Sequence, residues 1–142
     1  MARQCLAEMP KTPRIQPTHR SPHRVEILVF PQAQLLDVAG PLQVLATANE
    51  LATEAGLPPP YQPHVIARHG GPITTSAGLM LLTEPLPSMR HSVNTMLVAG
   101  GHGVYTAAKD RQLVRWIARR AGQAVRVASV CPGAFLLAEP AC

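Results

Sequence analysis

Long apolar runs are missing from this chain of 142 residues. None approaches the roughly 20 consecutive apolar residues that a helix needs to span a bilayer, so a transmembrane helix is excluded. The N-terminal stretch also lacks the apolar core of a secretory signal, and four prolines would interrupt a helix there: Pro10, Pro13, Pro17 and Pro22. We therefore expect a cytoplasmic location and no membrane contact.

Cysteine is equally scarce, with only Cys5, Cys131 and Cys142 in the chain. Three widely separated cysteines fit neither a disulfide framework nor a zinc site. We expect no metal and no cofactor. Two of the three cysteines lie near the chain ends, so only Cys131 has informative surroundings.

Acidic residues are few, eight against 13 basic ones, which gives a net charge of +5. The excess is concentrated at the start, where residues 1–24 contain five basic residues and one acidic residue, whereas residues 25–142 contain eight and seven. Residues 1–23 are therefore predicted to be a disordered, basic, Pro-rich leader, followed by one α/β domain over residues 24–142. The leader could touch DNA phosphates weakly, but a solvated leader or a misplaced start codon is the favoured interpretation.

A possible basic stripe consists of Arg111, Arg115 and Arg119, which recur at helical spacing. The favoured interpretation is the solvent-facing side of a helix that buries Trp116. No helix-turn-helix pattern or zinc-finger spacing is present. Direct DNA binding by the chain itself is therefore not expected.

Short β-branched runs alternate with helical segments along the domain. Strands are predicted over residues 25–30, 64–67, 96–99 and 125–130, helices over 41–55 and 107–121, a hairpin over 73–83 and a loop over 56–63. Three of the four strands are nearly continuous apolar runs, as expected for strands covered on both faces. This alternation predicts a mostly parallel sheet with right-handed crossovers.

The last predicted strand runs directly into Cys131, Pro132 and Gly133. A strand, a cysteine and then a helix of small residues have the layout of a nucleophile elbow, in which a tight turn holds the side chain at the carboxyl edge of the sheet. A buried structural cysteine is the alternative. The layout favours an exposed thiol that forms part of a site.

Two further features follow other predicted strands. Gly100, Gly101 and His102 follow the third strand, and glycines there let backbone N–H groups approach a ligand, although a plain tight turn and a solvated histidine explain them equally well. Asp37 follows the first strand, where it either caps or supports a helix or reaches toward Cys131. The carboxyl ends of parallel strands are where open α/β sheets bind ligands.

These features in this order resemble the ThiJ/PfpI family of the class I glutamine-amidotransferase-like superfamily, above all the N-terminal domain of GlxA-type AraC-family regulators. The likeness is carried by residues 25–51, 69–82, 96–103 and 129–139. It implies a flavodoxin-like three-layer α/β sandwich in which Cys131 and the Asp37 loop line one pocket. It also implies ligand-binding roles for Asp37, Gly100, Gly101, His102, Cys131 and Pro132.

The resemblance leaves two functions open. In related enzymes such as isonitrile hydratases, the matching cysteine and aspartate catalyse the addition of water or hydrolysis, so Cys131 and Asp37 are the catalytic candidates. Pro132, however, stands where relatives usually have a hydroxyl residue, and proline has no N–H to offer an oxyanion hole. Losing one such donor costs on the order of 10²–10³ in rate. A small-molecule sensor is therefore favoured over an isonitrile hydratase-like, amidase-like or glyoxalase-like enzyme.

The C-terminal end departs from the family pattern. Relatives read Ala-Glu-Ala-Gly-Leu-Leu where this chain reads Ala138-Glu139-Pro140-Ala141-Cys142, and one deleted base in a GC-rich gene converts the first reading into the second. We therefore expect a frameshifted or truncated gene, a sheet that is incomplete at its C-terminus and a DNA-binding domain that is missing. An uncovered sheet edge would favour a homodimer or aggregation.

Overall fold

The computed structural model describes residues 21–139, so most of the predicted leader, together with Cys5 and Cys142, lies outside the described residues. The strands are β1 (His23–Leu28), β2 (Tyr61–Ala67), β3 (His69–Thr74), β4 (Met80–Pro85), β5 (Thr95–Val98) and β6 (Arg126–Ser129). The helices are α1 (Leu35–Glu54), α2 (Val104–Ala107), α3 (Arg111–Ala121) and α4 (Gly133–Ala138).

The six strands form one sheet in the order β3-β4-β2-β1-β5-β6. All neighbouring pairs are parallel except β3 and β4, which form an antiparallel hairpin. Val25 lines a cleft with residues of α1, whereas its neighbour Glu26 is bonded to Arg120 of α3, so the two helices cover opposite faces of the sheet. The predicted mostly parallel, flavodoxin-like α/β sandwich is confirmed.

The core lies around β1, the central strand of the sheet. Its apolar residues Val25, Ile27 and Leu28 are buried, as are Met96 and Val98 on the adjacent strand β5. Every residue from Val25 to Phe30 is buried, which explains why this stretch is almost continuously apolar, with Glu26 as its one polar residue. No helix within residues 21–139 is long and apolar enough to cross a membrane.

The predicted helix over residues 41–55 begins too late. Helix α1 begins at Leu35, and Pro41 lies inside it instead of in its first turn. The reason is tertiary: the amide of Gln34 donates to the carbonyl of Gly100 (2.9 Å), which fixes the start of the helix against the end of β5. Pro41 cannot donate the hydrogen bond that an N–H would have made to the carbonyl of Asp37, and its ring crowds that carbonyl, so the contacts at the start of the helix outweigh this cost.

Two other predicted boundaries also shift. The predicted helix over residues 107–121 is divided into α2 and α3, because Asp110 caps a new helix at that point. Strand β2 begins at Tyr61, so the predicted loop over residues 56–63 is shorter. The predicted hairpin over residues 73–83 is confirmed, with its turn between Thr74 and Met80 and longer strands on both sides.

Asp110 caps the start of α3 and is expected to stabilise the fold. Its Oδ1 accepts hydrogen bonds from the amides of Gln112 and Leu113, both at 3.0 Å, and its Oδ2 accepts one from Nε of Arg68 at 3.0 Å. Asp110→Ala is expected to lower the free energy of unfolding by about 1–2 kcal/mol, because it leaves two helical N–H groups without an acceptor. Urea denaturation measures this change. Asp110→Asn, which can still cap the helix, should cost clearly less, and equal losses for the two variants would contradict the capping role.

Candidate functional site

The buried carboxylate of Asp37 joins the start of α1 to the segment that follows β5. Asp37 lies in the first turn of α1, is only 6% exposed, and accepts a hydrogen bond from the amide of Gly100 at 3.1 Å through Oδ2. The neighbouring bond from the Gln34 amide to the Gly100 carbonyl runs in the opposite direction. Asp37 thus lies at the carboxyl edge of the sheet, beside Gly100.

Gly100 is the point where three segments of the chain meet. A Cβ atom at this position would lie 2.5 Å from the carbonyl oxygen of Val130, 2.6 Å from Oδ2 of Asp37 and 2.9 Å from Cδ of Pro132. The start of α1, the segment after β5 and the turn after β6 therefore pack directly on one another. A side chain larger than hydrogen has no room here.

Cys131 occupies the turn between β6 and α4. Its φ of 46° lies in the left-handed region, which a residue with a side chain rarely adopts, and its side chain is exposed. Within residues 21–139 the thiol has no hydrogen-bond partner, and none joins it to Asp37. The structure therefore places an unbonded thiol on a sharply bent, strained backbone, next to the segment that contacts Asp37.

Pro132 and Gly133 shape the start of α4. Pro132 has helical dihedral angles, with φ of −66° and ψ of −3°, and is half-buried. A Cβ atom at Gly133 would lie 2.6 Å from the carbonyl oxygens of both Val98 and Ala99. Glycine at this position lets α4 approach β5 closely, and proline before it supplies no N–H to the site.

Gly101 and His102 form the turn that follows β5. Gly101 is buried, has a φ of 117°, and its Cβ position would lie 2.5 Å from the amide nitrogen of Gln34. His102 is exposed. In the described part of the chain, the amide N–H groups of these two residues have no acceptor. Donation from these two amides to a ligand stays a prediction.

The structure therefore brings five of the six predicted site residues to the carboxyl edge of the sheet. Gly100 packs against Asp37 and Pro132 there. The sixth residue, His102, has an exposed side chain. No three His, Cys, Asp or Glu side chains within residues 21–139 lie close enough together to hold a metal ion. The roles of these residues in ligand binding stay predictions.

The structure also contains a cleft that the sequence did not indicate, beside Gly103. It has a volume of about 410 Å³ and is lined by Pro31 and Gly103, by Arg68 and His69 after β2, and by Thr106 of α2. A volume of this size is typical of small-molecule sites. The available sequence signal was Arg68, a charged residue placed directly after the buried end of β2.

The chain has relatives among characterised and uncharacterised proteins, although no protein-family model matches it. It is 33% identical over 119 residues to an uncharacterized protein from the cpoL 5′ region of Streptomyces lividans, an alignment that covers 82% of this chain and 78% of that protein. It is 33% identical over 114 residues to isonitrile hydratase of Pseudomonas putida, covering 80% of this chain but only 46% of that enzyme.

A shorter match joins the chain to a regulator. It is 45% identical over 47 residues to the HTH-type transcriptional regulator Rv1931c of Mycobacterium tuberculosis, covering 33% of this chain and 18% of that protein. The chain thus spans less than half of the isonitrile hydratase and a fifth or less of this regulator.

Solved structures share the fold. A ThiJ/PfpI family protein from Pseudomonas syringae superposes with a TM-score of 0.68 at 22% identity, covering 96% of this chain and 51% of that one. An AraC family transcriptional regulator from Pseudomonas putida gives a TM-score of 0.61 at 20% identity, covering 84% and 71%. The chain therefore belongs to one family with the Streptomyces lividans protein, and the domain that it contains is ThiJ/PfpI-like.

Proposed function

We propose that this chain is the small-molecule-sensing domain of an AraC-family transcriptional regulator, whose DNA-binding region lies outside it. The observation that carries the proposal is the convergence at Gly100, where Asp37, Val130 and Pro132 meet around one atom position. This packing couples the ligand-binding edge to three separate segments. Occupancy of the edge would therefore bias their arrangement, as a sensor requires.

The predicted site offers complementary groups for a small polar ligand. The amides of Gly101 and His102 would donate to a carbonyl or carboxylate oxygen, and the second carboxylate oxygen of Asp37 would accept from a hydroxyl or amide. Cys131, whose positive φ fits a nucleophile elbow, would contact the electrophilic carbon of the ligand. The ligand class is thus a small carbonyl-containing metabolite.

Pro132 favours sensing over catalysis. In elbow enzymes the amide after the nucleophile commonly stabilises the oxyanion, and here that position has no N–H. Proline at the start of α4 is structurally comfortable, since helices tolerate it in their first turn. The fold therefore keeps the elbow while the transition state would lose a donor.

An isonitrile hydratase-like enzyme is the second candidate, favoured by the 33% identity to isonitrile hydratase and by the exposed thiol at Cys131. Such an enzyme would add one water molecule across the isonitrile carbon and release an N-substituted formamide.

The proposal for this protein also includes a cytoplasmic location and a homodimer.

Ligand-dependent thermal stabilisation of the 142-residue chain tests the sensor. Small carbonyl compounds, carboxylates and isonitriles are screened, and we expect at least one to raise the melting temperature saturably without being converted. Asp37→Asn keeps an acceptor for the Gly100 amide but removes the charge, so it should abolish the shift. Glu50→Gln, on the exposed side of α1, is the matched control and should leave the shift unchanged.

The same samples distinguish the enzyme from the sensor. Formation of a formamide from an isonitrile, lost in Cys131→Ser, would establish the enzyme in place of the sensor. A ligand shift that survives Asp37→Asn would show that binding occurs elsewhere, for example in the cleft beside Arg68 and Thr106.

A further inference from the structure

A second surface with binding chemistry lies alongside α3 and contains none of the residues of the candidate site. A shallow groove of about 500 Å³ separates α3 from the segment that follows β4. We call it the Trp116 groove; its lining includes Leu86, Pro87, Met89, Arg115, Trp116 and Arg119. The groove combines an apolar floor with basic walls.

Trp116 forms the floor of this groove in a fixed orientation. Its indole is half-buried, and Nε1 donates a hydrogen bond to the carbonyl of Pro87 at 3.3 Å. Leu86 and Met89, which are also half-buried, stand beside it. The flat indole ring is therefore held open as a platform for an apolar group.

The positive charge of the groove is not neutralised. Arg68, at one end, is paired with Asp110 at 3.0 Å and is also bonded to Gln112. Arg115 and Arg119 are exposed, and within residues 21–139 neither guanidinium has an acceptor. No aspartate or glutamate is among the lining residues. Two uncompensated guanidinium groups therefore flank an apolar floor.

We propose that the Trp116 groove binds an acidic, partly apolar peptide segment of a partner protein. Arg115 and Arg119 are four residues apart on one helix, so their Cβ atoms lie about 5–6 Å from each other. Alternate side chains of an extended peptide are separated by about 6–7 Å along one face. Two carboxylates in alternate positions can thus meet the two guanidinium groups of α3, while the intervening apolar side chain, which points to the opposite face of the peptide, meets Leu86 and Met89 across the groove.

Other occupants match the groove less well. Duplex DNA carries the right charge, but its convex phosphate backbone cannot reach the apolar floor of a concave groove. A second copy of this chain offers only eight acidic residues against 13 basic ones, so it is a poor electrostatic partner. Charge complementarity together with the apolar floor favours an acidic peptide.

Trp116 is the single tryptophan of the chain, so its fluorescence reports directly on the groove. The probe is the peptide acetyl-Glu-Leu-Glu-Leu-Glu-amide, titrated into the full chain. We expect a saturable change in Trp116 emission, and an apparent Kd that rises with salt because the pairs are exposed. The matched peptide with glutamine in place of every glutamate should bind several times more weakly.

Charge-neutralising variants locate the binding. Arg115→Gln and Arg119→Gln should each weaken the peptide by about two- to fivefold, the usual effect of one exposed ion pair. Arg111→Gln removes the same charge from the same helix outside the groove and should have no effect, and unchanged melting temperatures should show that all three variants fold.

Three results would overturn the proposal. The glutamine peptide binding as well as the glutamate peptide would remove the role of charge. An equal effect of Arg111→Gln would remove the role of the groove. A short DNA duplex that displaces the peptide at lower concentration would assign the surface to nucleic acid.

Discussion

Glu26→Leu is expected to lower the free energy of unfolding by about 3–5 kcal/mol, because it leaves the buried guanidinium of Arg120 without its counter-charge. Both side chains are fully buried. Nε of Arg120 donates to Oε2 of Glu26 at 2.8 Å, and Nη2 of Arg120 donates to Oε1 of Glu26 at 2.5 Å. This bidentate pair joins the central strand to α3 across the core.

The rest of the surroundings shows why the loss is large. Arg120 also donates to the carbonyl of His91 at 2.7 Å and to the side chain of Gln123 at 3.1 Å. These neutral acceptors remain in Glu26→Leu, but they do not balance a full charge in the core. Arg24, which donates to Oε1 of Glu26 at 2.8 Å, is partly exposed and would lose less.

The double variant Glu26→Leu/Arg120→Met should regain most of the lost stability, because apolar side chains of similar volume often replace a buried pair without cost. Urea denaturation of the wild type, both single variants and the double variant gives the coupling energy. Glu84→Leu is the matched control, since that carboxylate is 58% exposed and, within residues 21–139, is paired only with His64. A loss in Glu26→Leu no larger than in Glu84→Leu would contradict the buried pair as a source of stability.

The same pair predicts how stability changes in acid. Burial by itself raises the pKa of Glu26, but hydrogen bonds and charge from Arg120 and Arg24 outweigh it, and the pKa falls below its ordinary value of 4.5. Because the folded pKa is the lower one, the stabilisation is complete above the unfolded pKa and is lost as pH falls through the folded pKa. The double variant, with no carboxylate at position 26, should lose less stability than the wild type in that range.

The architecture was predictable because burial leaves a trace in the sequence. Apolar runs marked β1 and β5, and the rule that ligands bind at the carboxyl ends of parallel strands pointed to Gly100 and Cys131. The sequence did not show whether Asp37 meets Cys131. The positive φ of Cys131 and the close approach at Gly100 needed the structure.

Long-range polar contacts were not predictable in the same way. Glu26 stands within a strand, and Arg120 lies near the end of the predicted helix over residues 107–121. Nothing in the local pattern indicated that these two residues, 94 positions apart, form a buried pair. The predicted start of α1 was wrong for the same reason. The hydrogen bond from Gln34 to Gly100 outweighs the preference of Pro41 for the first turn of a helix.

Gly100→Ala is the second change with a large expected effect, and it acts directly on the candidate site. The new methyl group would overlap the carbonyl oxygen of Val130, which belongs to the backbone and cannot turn away, as well as Oδ2 of Asp37. We expect a loss of about 1–3 kcal/mol in unfolding free energy, the usual range for overpacking. Gly40→Ala is the matched control, because its methyl group would lie 3.9 Å from the nearest atom, in Leu36, inside α1.

The control should change stability in the opposite direction, since alanine is favoured over glycine inside a helix by up to about 1 kcal/mol. The site itself is followed by the alkylation rate of Cys131 in a background with Cys5→Ser and Cys142→Ser. Gly100→Ala should change that rate, because relieving the overlap displaces Val130 and therefore the strained residue that follows it. Gly40→Ala should leave the rate unchanged. A stable Gly100→Ala protein with an unaltered thiol would mean that the turn after β6 does not pack on Gly100, and the proposed coupling between the ligand-binding edge and the rest of the domain would lose its physical basis.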